Sequence, residues 1–188
     1  MTSDPTLAAS VRPLNIVSVG ALETIPDAML RGPDTFVASS LRDVARALEA
    51  AQSAQTGGPT VARAIDLIGH STRDHQLLRL GSTVVDALDL TVLRFFEGIA
   101  RSGLVLGIGA VCLRLLGCET AMSPSGQRTM RILASVLGIR VYGSRKRLSR
   151  MHHNHLGFDP RFQHVLVSAI ERKAPWLQLA ARSEPSLI

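Results

Sequence analysis

Apolar residues along this chain fall into two alternating patterns, and the order of those patterns predicts the fold. Leu14-Asn15-Ile16-Val17-Ser18-Val19 alternates and stops at Gly20, a strand signature. Thr35 to Ala38 reads as a very short second strand, after a loop over 21–34 marked by Pro26, Gly32, Pro33 and Asp34. Ser39 or Ser40 then caps a helix in which Leu41, Val44, Ala45, Leu48 and Ala51 share one face, and Thr56-Gly57-Gly58-Pro59 ends it. Residues 61–69 are a third strand, followed by a polar loop over 71–76. Leu77 to Val85 reads as a hairpin around Gly81, with Leu78, Leu80 and Val84 packing. Leu88 to Arg101 is an amphipathic helix with Leu90, Leu93, Phe96 and Ile99 inward; 102–110 is Gly-rich and takes no clear type.

Residues 111–118 form the next strand. Ser123-Pro124 opens a helix, with Ser as N-cap and Pro at its first position, and Gly138 closes it. Ile139 to Gly143 is a further strand, 144–160 is basic and turn-like, and Arg161 to Ala181 reads as a final helix. Strands alternating with helices predict an α/β fold with a mostly parallel sheet covered on both faces. Residues 1–12 read as a loose tail and 13–188 as one domain.

Two strands end alike. Ala64-Ile65-Asp66-Leu67-Ile68-Gly69 delivers His70, and Leu113-Arg114-Leu115-Leu116-Gly117 delivers Cys118, 48 residues later by numbering. Sites in parallel sheets form outside the carboxyl ends of strands, so the pattern predicts a Cys/His pair at one sheet edge. A thiol is a weak nucleophile until ionised, and an imidazole can take that proton and return it to a leaving amine. Gly69 and Gly117 let the backbone turn and a substrate approach. The N–H of Cys118 and one from the turn after His70 would stabilise a tetrahedral oxyanion, and the N-terminus of the helix near Ser123 would favour the thiolate.

Composition narrows the picture. The chain has 188 residues, 46% apolar and 19% charged, which describes a globular domain. Net charge is +6, which favours acidic partners, and only 4% aromatics argues against a single-strand nucleic-acid platform. The only two cysteines, Cys112 and Cys118, are too far apart along one strand for a disulfide, and Cys112 reads as core. No signal-like or membrane-spanning stretch is present, so no membrane partner and a reducing, cytoplasmic location are expected. Gly103 to Gly109 lacks the Lys-Ser/Thr of a phosphate loop. Adjacent histidines in His152-His153-Asn154-His155 point to opposite faces without further ligands, so they read as a polar loop rimming the site, with no metal or cofactor expected.

The stretches Ile65-Asp66-Leu67-Ile68-Gly69-His70-Ser71 and Leu115-Leu116-Gly117-Cys118-Glu119-Thr120-Ala121 resemble the caspase-like fold of cysteine peptidases, closest to its short bacterial members. The likeness covers roughly 62–148. It implies a three-layer α/β/α sandwich, and Cys118 as nucleophile with His70 as general base and acid. It also implies a protein or peptide substrate bound by the loops after the strands, supplied in bacteria by a regulated defence or cell-death system. Ser71 stands where the family has Gly, so its N–H would be the second oxyanion donor beside Cys118, with Gly69 and Gly117 shaping the two turns. The caspase pentapeptide around the cysteine is absent, so preference for aspartate is not implied. Glu119 contacts a substrate amine or is solvated. Ser144 and Arg145 begin the loop that shapes the pocket in such folds. With Arg145, Lys146, Arg147 and Arg150 lining it, the substrate would be acidic; with Asp74, Asp66 or Asp86 there, it would be basic. The alternative is a catalytically weak or inactive module on the same fold that contacts an acidic partner.

Overall fold

The computed structural model of the chain describes residues 11–55 and 61–169. Its strands are β1 (Arg12–Ser18), β2 (Thr35–Ala38), β3 (Arg63–Ile68), β4 (Arg79–Leu80), β5 (Thr83–Val84), β6 (Ala110–Leu116), β7 (Arg140–Ser144) and β8 (Leu166–Ser168). Its α-helices are α1 (Asp27–Leu30), α2 (Leu41–Ser53), α3 (Leu90–Arg101), α4 (Leu104–Gly107) and α5 (Pro124–Leu137). Six strands form one sheet in the order β2-β1-β3-β6-β7-β8, parallel throughout except for β8, while β4 and β5 form a separate antiparallel hairpin. Central β3 is buried along its whole length, as a strand covered on both faces must be. The result is a three-layer α/β/α sandwich.

Alternation along the strands divides the apolar side chains between the two layers. Leu14, Ile16, Ile65, Leu67, Leu113, Leu115 and Val141 pack with α2, α3 and α5 in the main core. Val17, Ile68 and Leu116 face the other way, against Ile25, Met29, Phe158 and Val165. This second cover is thin: α1, 3-10 turns at Val19–Thr24, Arg150–His152 and Pro160–Val165, and the loops between them. Beneath it runs a polar row, with Asn15 opposite Asp66, Asp66 opposite Arg114, and Arg114 opposite Tyr142. Arg114 is bidentate to the fully buried Asp66, at 2.5 and 2.7 Å, and its guanidinium lies 5.6 Å from the Phe158 ring. Burial pushes the Asp66 carboxyl up from its ordinary range and the guanidinium pulls it back.

Local signals set the helix ends. Ser40 caps α2 by accepting from the N–H of Asp43, Ser123 caps α5 by accepting from Gly126, and Gly138 ends α5 in the left-handed conformation. Elsewhere the chain departs from the sequence reading. The 21–34 loop holds a 3-10 turn and α1 instead. The Gly-rich 102–110 stretch contains α4, entered through Gly103 at φ 73. In α3, which starts at Leu90 after the Asp89 cap, the buried positions are Val92, Phe96 and Ile99, while Leu90 is exposed and Leu93 only partly buried. In the hairpin Val85, not Val84, is buried. The final helix is not formed over 161–168: a 3-10 turn leads into β8, whose Leu166-Val167 pairs with β7. Its remainder, the Gly57-to-Pro59 stop and tail residues 1–10 lie outside the described residues, and Arg12 already belongs to β1.

Candidate active site

β3 and β6 are neighbours in register, with Asp66 opposite Arg114 and Ile68 opposite Leu116. His70 and Cys118 each lie two residues past that last pair. Two strand ends about 5 Å apart therefore bring residues 70 and 118 out of the sheet on neighbouring strands. No hydrogen bond joins the two side chains. Cys118 Sγ donates to the Leu148 carbonyl at 3.7 Å, and His70 Nε2 lies 3.9 Å from Glu23 Oε1. His70 is half exposed and Cys118 is partly exposed. Leu148 packs in the second cluster and Glu23 belongs to the turn over the same face, so both side chains emerge on the thin-cover side. Apo enzymes often hold such pairs beyond hydrogen-bond length.

Cys112 is a different kind of residue. It is buried lower on β6, and burial pushes its thiol up to about 11. It is part of the interior, as its position in the strand predicts.

The backbone around the pair is constrained. The Gly69 N–H donates to Leu116 O at 3.3 Å and so remains in the sheet, and the chain leaves the sheet only after it. A Cβ on Gly69 would overlap the carbonyl oxygen of Arg79, so glycine there admits the hairpin. The N–H groups of Ser71 and Cys118 make no backbone hydrogen bond among the described residues. No side-chain acceptor is bonded to either of them among the described residues. Ser71 faces Leu78 across an isolated antiparallel bridge, which ties the histidine loop to the hairpin.

The described chain has two non-glycine residues with positive φ, and both follow the candidate pair: Gln76 at φ 52 and Glu119 at φ 60. Left-handed backbone is costly for such residues and concentrates at functional sites. Gln76 Nε2 donates to Glu119 Oε2 at 3.4 Å, so the two strained loops touch. Glu119 N donates to Lys146 O at 3.1 Å, joining the loop after β7 to the cysteine turn.

Thr120 organises that turn from below. Its hydroxyl donates to Leu115 O at 2.9 Å and accepts from Ser144 N at 3.0 Å. Ser144 is fully buried, and its hydroxyl is spent on the carbonyl and N–H of Lys146, so it is a brace and not a substrate contact. Arg145 turns toward the 3-10 turn, donating to His164 O at 3.1 Å. Asp66 is committed to Arg114 and does not line a pocket. Asp74 and Asp86 line an open groove of about 1070 Å³ with Arg42, His75 and Asp89, behind the histidine loop; neither Cys118 nor His70 lines it. The Ser123 hydroxyl donates to the His75 carbonyl, fixing α5 to that loop.

The histidine run is not a polar rim throughout. His152 closes a capping box with Ser149, while His153 is buried edge-on to Phe158, and burial pushes its imidazole down to about 4. Among the described residues no three His, Cys, Asp or Glu side chains are grouped to hold a metal, and no helix is long and apolar enough to cross a membrane. Sequence reasoning missed Glu23, Gln76 and Leu148, whose roles depend on loop paths that carry no periodic signal. Thr120 stood inside the cysteine motif without an assigned role. The chain matches no family model and no curated protein.

Proposed function

We propose that the chain is a small cysteine endopeptidase of the caspase-like type, with Cys118 as nucleophile and His70 as general base and acid. The observation that carries this reading is the shared register of the two strand ends, which puts one thiol and one imidazole past the same rung of the sheet. Two further features support it: the unpaired N–H groups of Ser71 and Cys118, and backbone strain confined to the two loops that follow the pair.

The chemistry follows from those groups. His70 takes the proton of the Cys118 thiol, and Sγ attacks the carbonyl carbon of a peptide bond. The negative charge on the carbonyl oxygen is met by the two N–H groups. Collapse breaks the C–N bond, His70 gives its proton to the leaving amine, and a thioester to Cys118 remains. Water, deprotonated by His70, then hydrolyses the thioester. A free thiol nucleophile suits a reducing compartment such as the cytoplasm, and the substrate is a protein or peptide.

The test is labelling by an electrophilic peptide probe together with cleavage of a peptide library. Cys118→Ala and His70→Ala are each expected to abolish both; full activity in both variants would overturn the assignment. A second reading, a non-catalytic module that contacts an acidic partner, is favoured by the thiol's bond to Leu148 O and by His70 facing Glu23. A Cys118 that is alkylated no faster than free cysteine would select it.

A further inference from the structure

Position 71, after the histidine, carries a side chain where a bare backbone would leave the most room for substrate. The structure shows where that side chain goes. The Ser71 hydroxyl is buried and has no hydrogen-bond partner. It lies 2.6 Å from the point where a Cβ on Gly117 would sit, and the same point is 3.0 Å from Leu78 Cδ1 and 3.0 Å from Thr120 Cγ2. Three side chains therefore close on one notch, and the notch exists because residue 117 is glycine. Gly117 has no positive φ, so conformational freedom is not what requires glycine there; the missing Cβ is.

Side chains of consecutive residues in extended backbone point to opposite faces. His70 faces Glu23 on the thin-cover side, whereas the notch for Ser71 is walled by Leu78, a residue of the main core. The serine side chain thus turns away from the thin-cover side, where His70 meets Glu23. A buried hydroxyl with no partner is an uncommon cost. Here it comes with close contact between the loop that carries His70 and the loop that carries Cys118.

From this geometry we infer that Ser71 and Gly117 form an interlocking pair, in which the serine is a positioning residue that holds the histidine and cysteine loops at one spacing. The inference rests on the peptidase reading for its consequence, but the interlock is a property of the fold. The oxyanion donors are the N–H groups of Ser71 and Cys118, and each follows or flanks a member of the pair. A slip of one loop against the other would separate the two donors and the thiol from the imidazole. Misplacement of about 1 Å at such a site costs on the order of 100-fold in rate.

Gly117→Ala should lower labelling of Cys118 by an electrophilic peptide probe by about 100-fold. It should also lower the melting temperature by several degrees. Adding Ser71→Gly to it should recover at least about tenfold of the labelling and most of the melting temperature, since it removes the shortest contact and leaves two at 3.0 Å, to Leu78 Cδ1 and Thr120 Cγ2. Ser71→Val with Gly117 intact overfills the same notch and should reproduce the loss, which keeps the test open if Gly117→Ala does not fold. With a reactive wild-type thiol, undiminished labelling in Gly117→Ala or Ser71→Val, or no recovery in the double variant, would overturn the interlock. The melting-temperature cycle separates it from the peptidase reading. Coupling between positions 71 and 117 with an unreactive Cys118 sinks the peptidase and supports the interlock. Absence of coupling sinks the interlock whatever the thiol does.

Discussion

The same two strands hold two pairs of polar residues at the same offset of 48 positions, and the pairs behave in opposite ways. Asp66 and Arg114 lie opposite each other in the middle of β3 and β6 and close a bidentate ion pair under Phe158. His70 and Cys118 lie four residues further along each chain, past the carboxyl ends, with no bond between them and with solvent within reach. Depth separates the two cases. In the interior a charge must be matched fully, and a matched pair is rigid and chemically spent. At the mouth the two groups make no bond to each other and keep solvent contact. The cysteines repeat the lesson: burial pushes Cys112 up to about 11, while Cys118 is partly open.

The contrast is sharpest in stability. Removing one partner of the buried pair, by Asp66→Asn or Arg114→Met, should cost about 3–5 kcal/mol because the other charge is stranded. Cys118→Ala and His70→Ala should change stability by only about 0.5 kcal/mol. Chemical denaturation of the four variants reads this directly, and a His70 or Cys118 variant as damaging as an ion-pair variant would erase the distinction.

Acid should strike the buried side next. His153 is neutral in the fold, with its imidazole pushed down to about 4 from 6.5, and its Nδ1–H donates to Ser149 O. A lowered folded value means the unfolded chain binds the proton more readily. The contribution is complete above pH 6.5 and is lost as pH falls through the window down to about 4. The loss is about 3 kcal/mol over that window. Asp43 and Asp159, held at about 2 chiefly by side-chain hydrogen bonds from Ser39 and Arg161 respectively, weaken only at lower pH. Melting curves from pH 7 to 4 should show the drop, and His153→Asn should flatten it; an unchanged slope in that variant would point to another group.

The smallest expected effect lies at the mouth. Glu119→Gly relieves a left-handed backbone but frees the unfolded chain, so stability should move by less than about 1 kcal/mol. Loss of the contact with Gln76 should still slow probe labelling of Cys118. Unchanged labelling would remove Glu119 from the site.

Much of this arrangement was legible in the sequence. Buried parallel strands read as apolar runs, and β1, β3, β6 and β7 announce themselves that way. Ser40, Ser123 and Gly138 mark helix ends through chemistry that acts within a few residues. The strand-end positions of His70 and Cys118 follow from the same runs. The thin cover was not legible, because 144–165 is held by single long-range contacts: Asn15 to Leu156 O, the Phe158 N–H to Asp66, and Cys118 to Leu148 O. None of these leaves a period. The local pattern over Leu166-Val167 reads as helix because strand pairing with β7 depends on a neighbour more than twenty residues away. The direction of the Ser71 side chain is likewise tertiary, set by a missing Cβ on Gly117, just past the end of β6.

The most direct test of the central claim is the alkylation rate of Cys118 by iodoacetamide at neutral pH, in the wild-type chain and in His70→Ala. The wild-type rate should be at least about tenfold above free cysteine and should fall at least about tenfold in His70→Ala, with no reaction at buried Cys112. Equal rates in the two proteins, at the level of free cysteine, would contradict it.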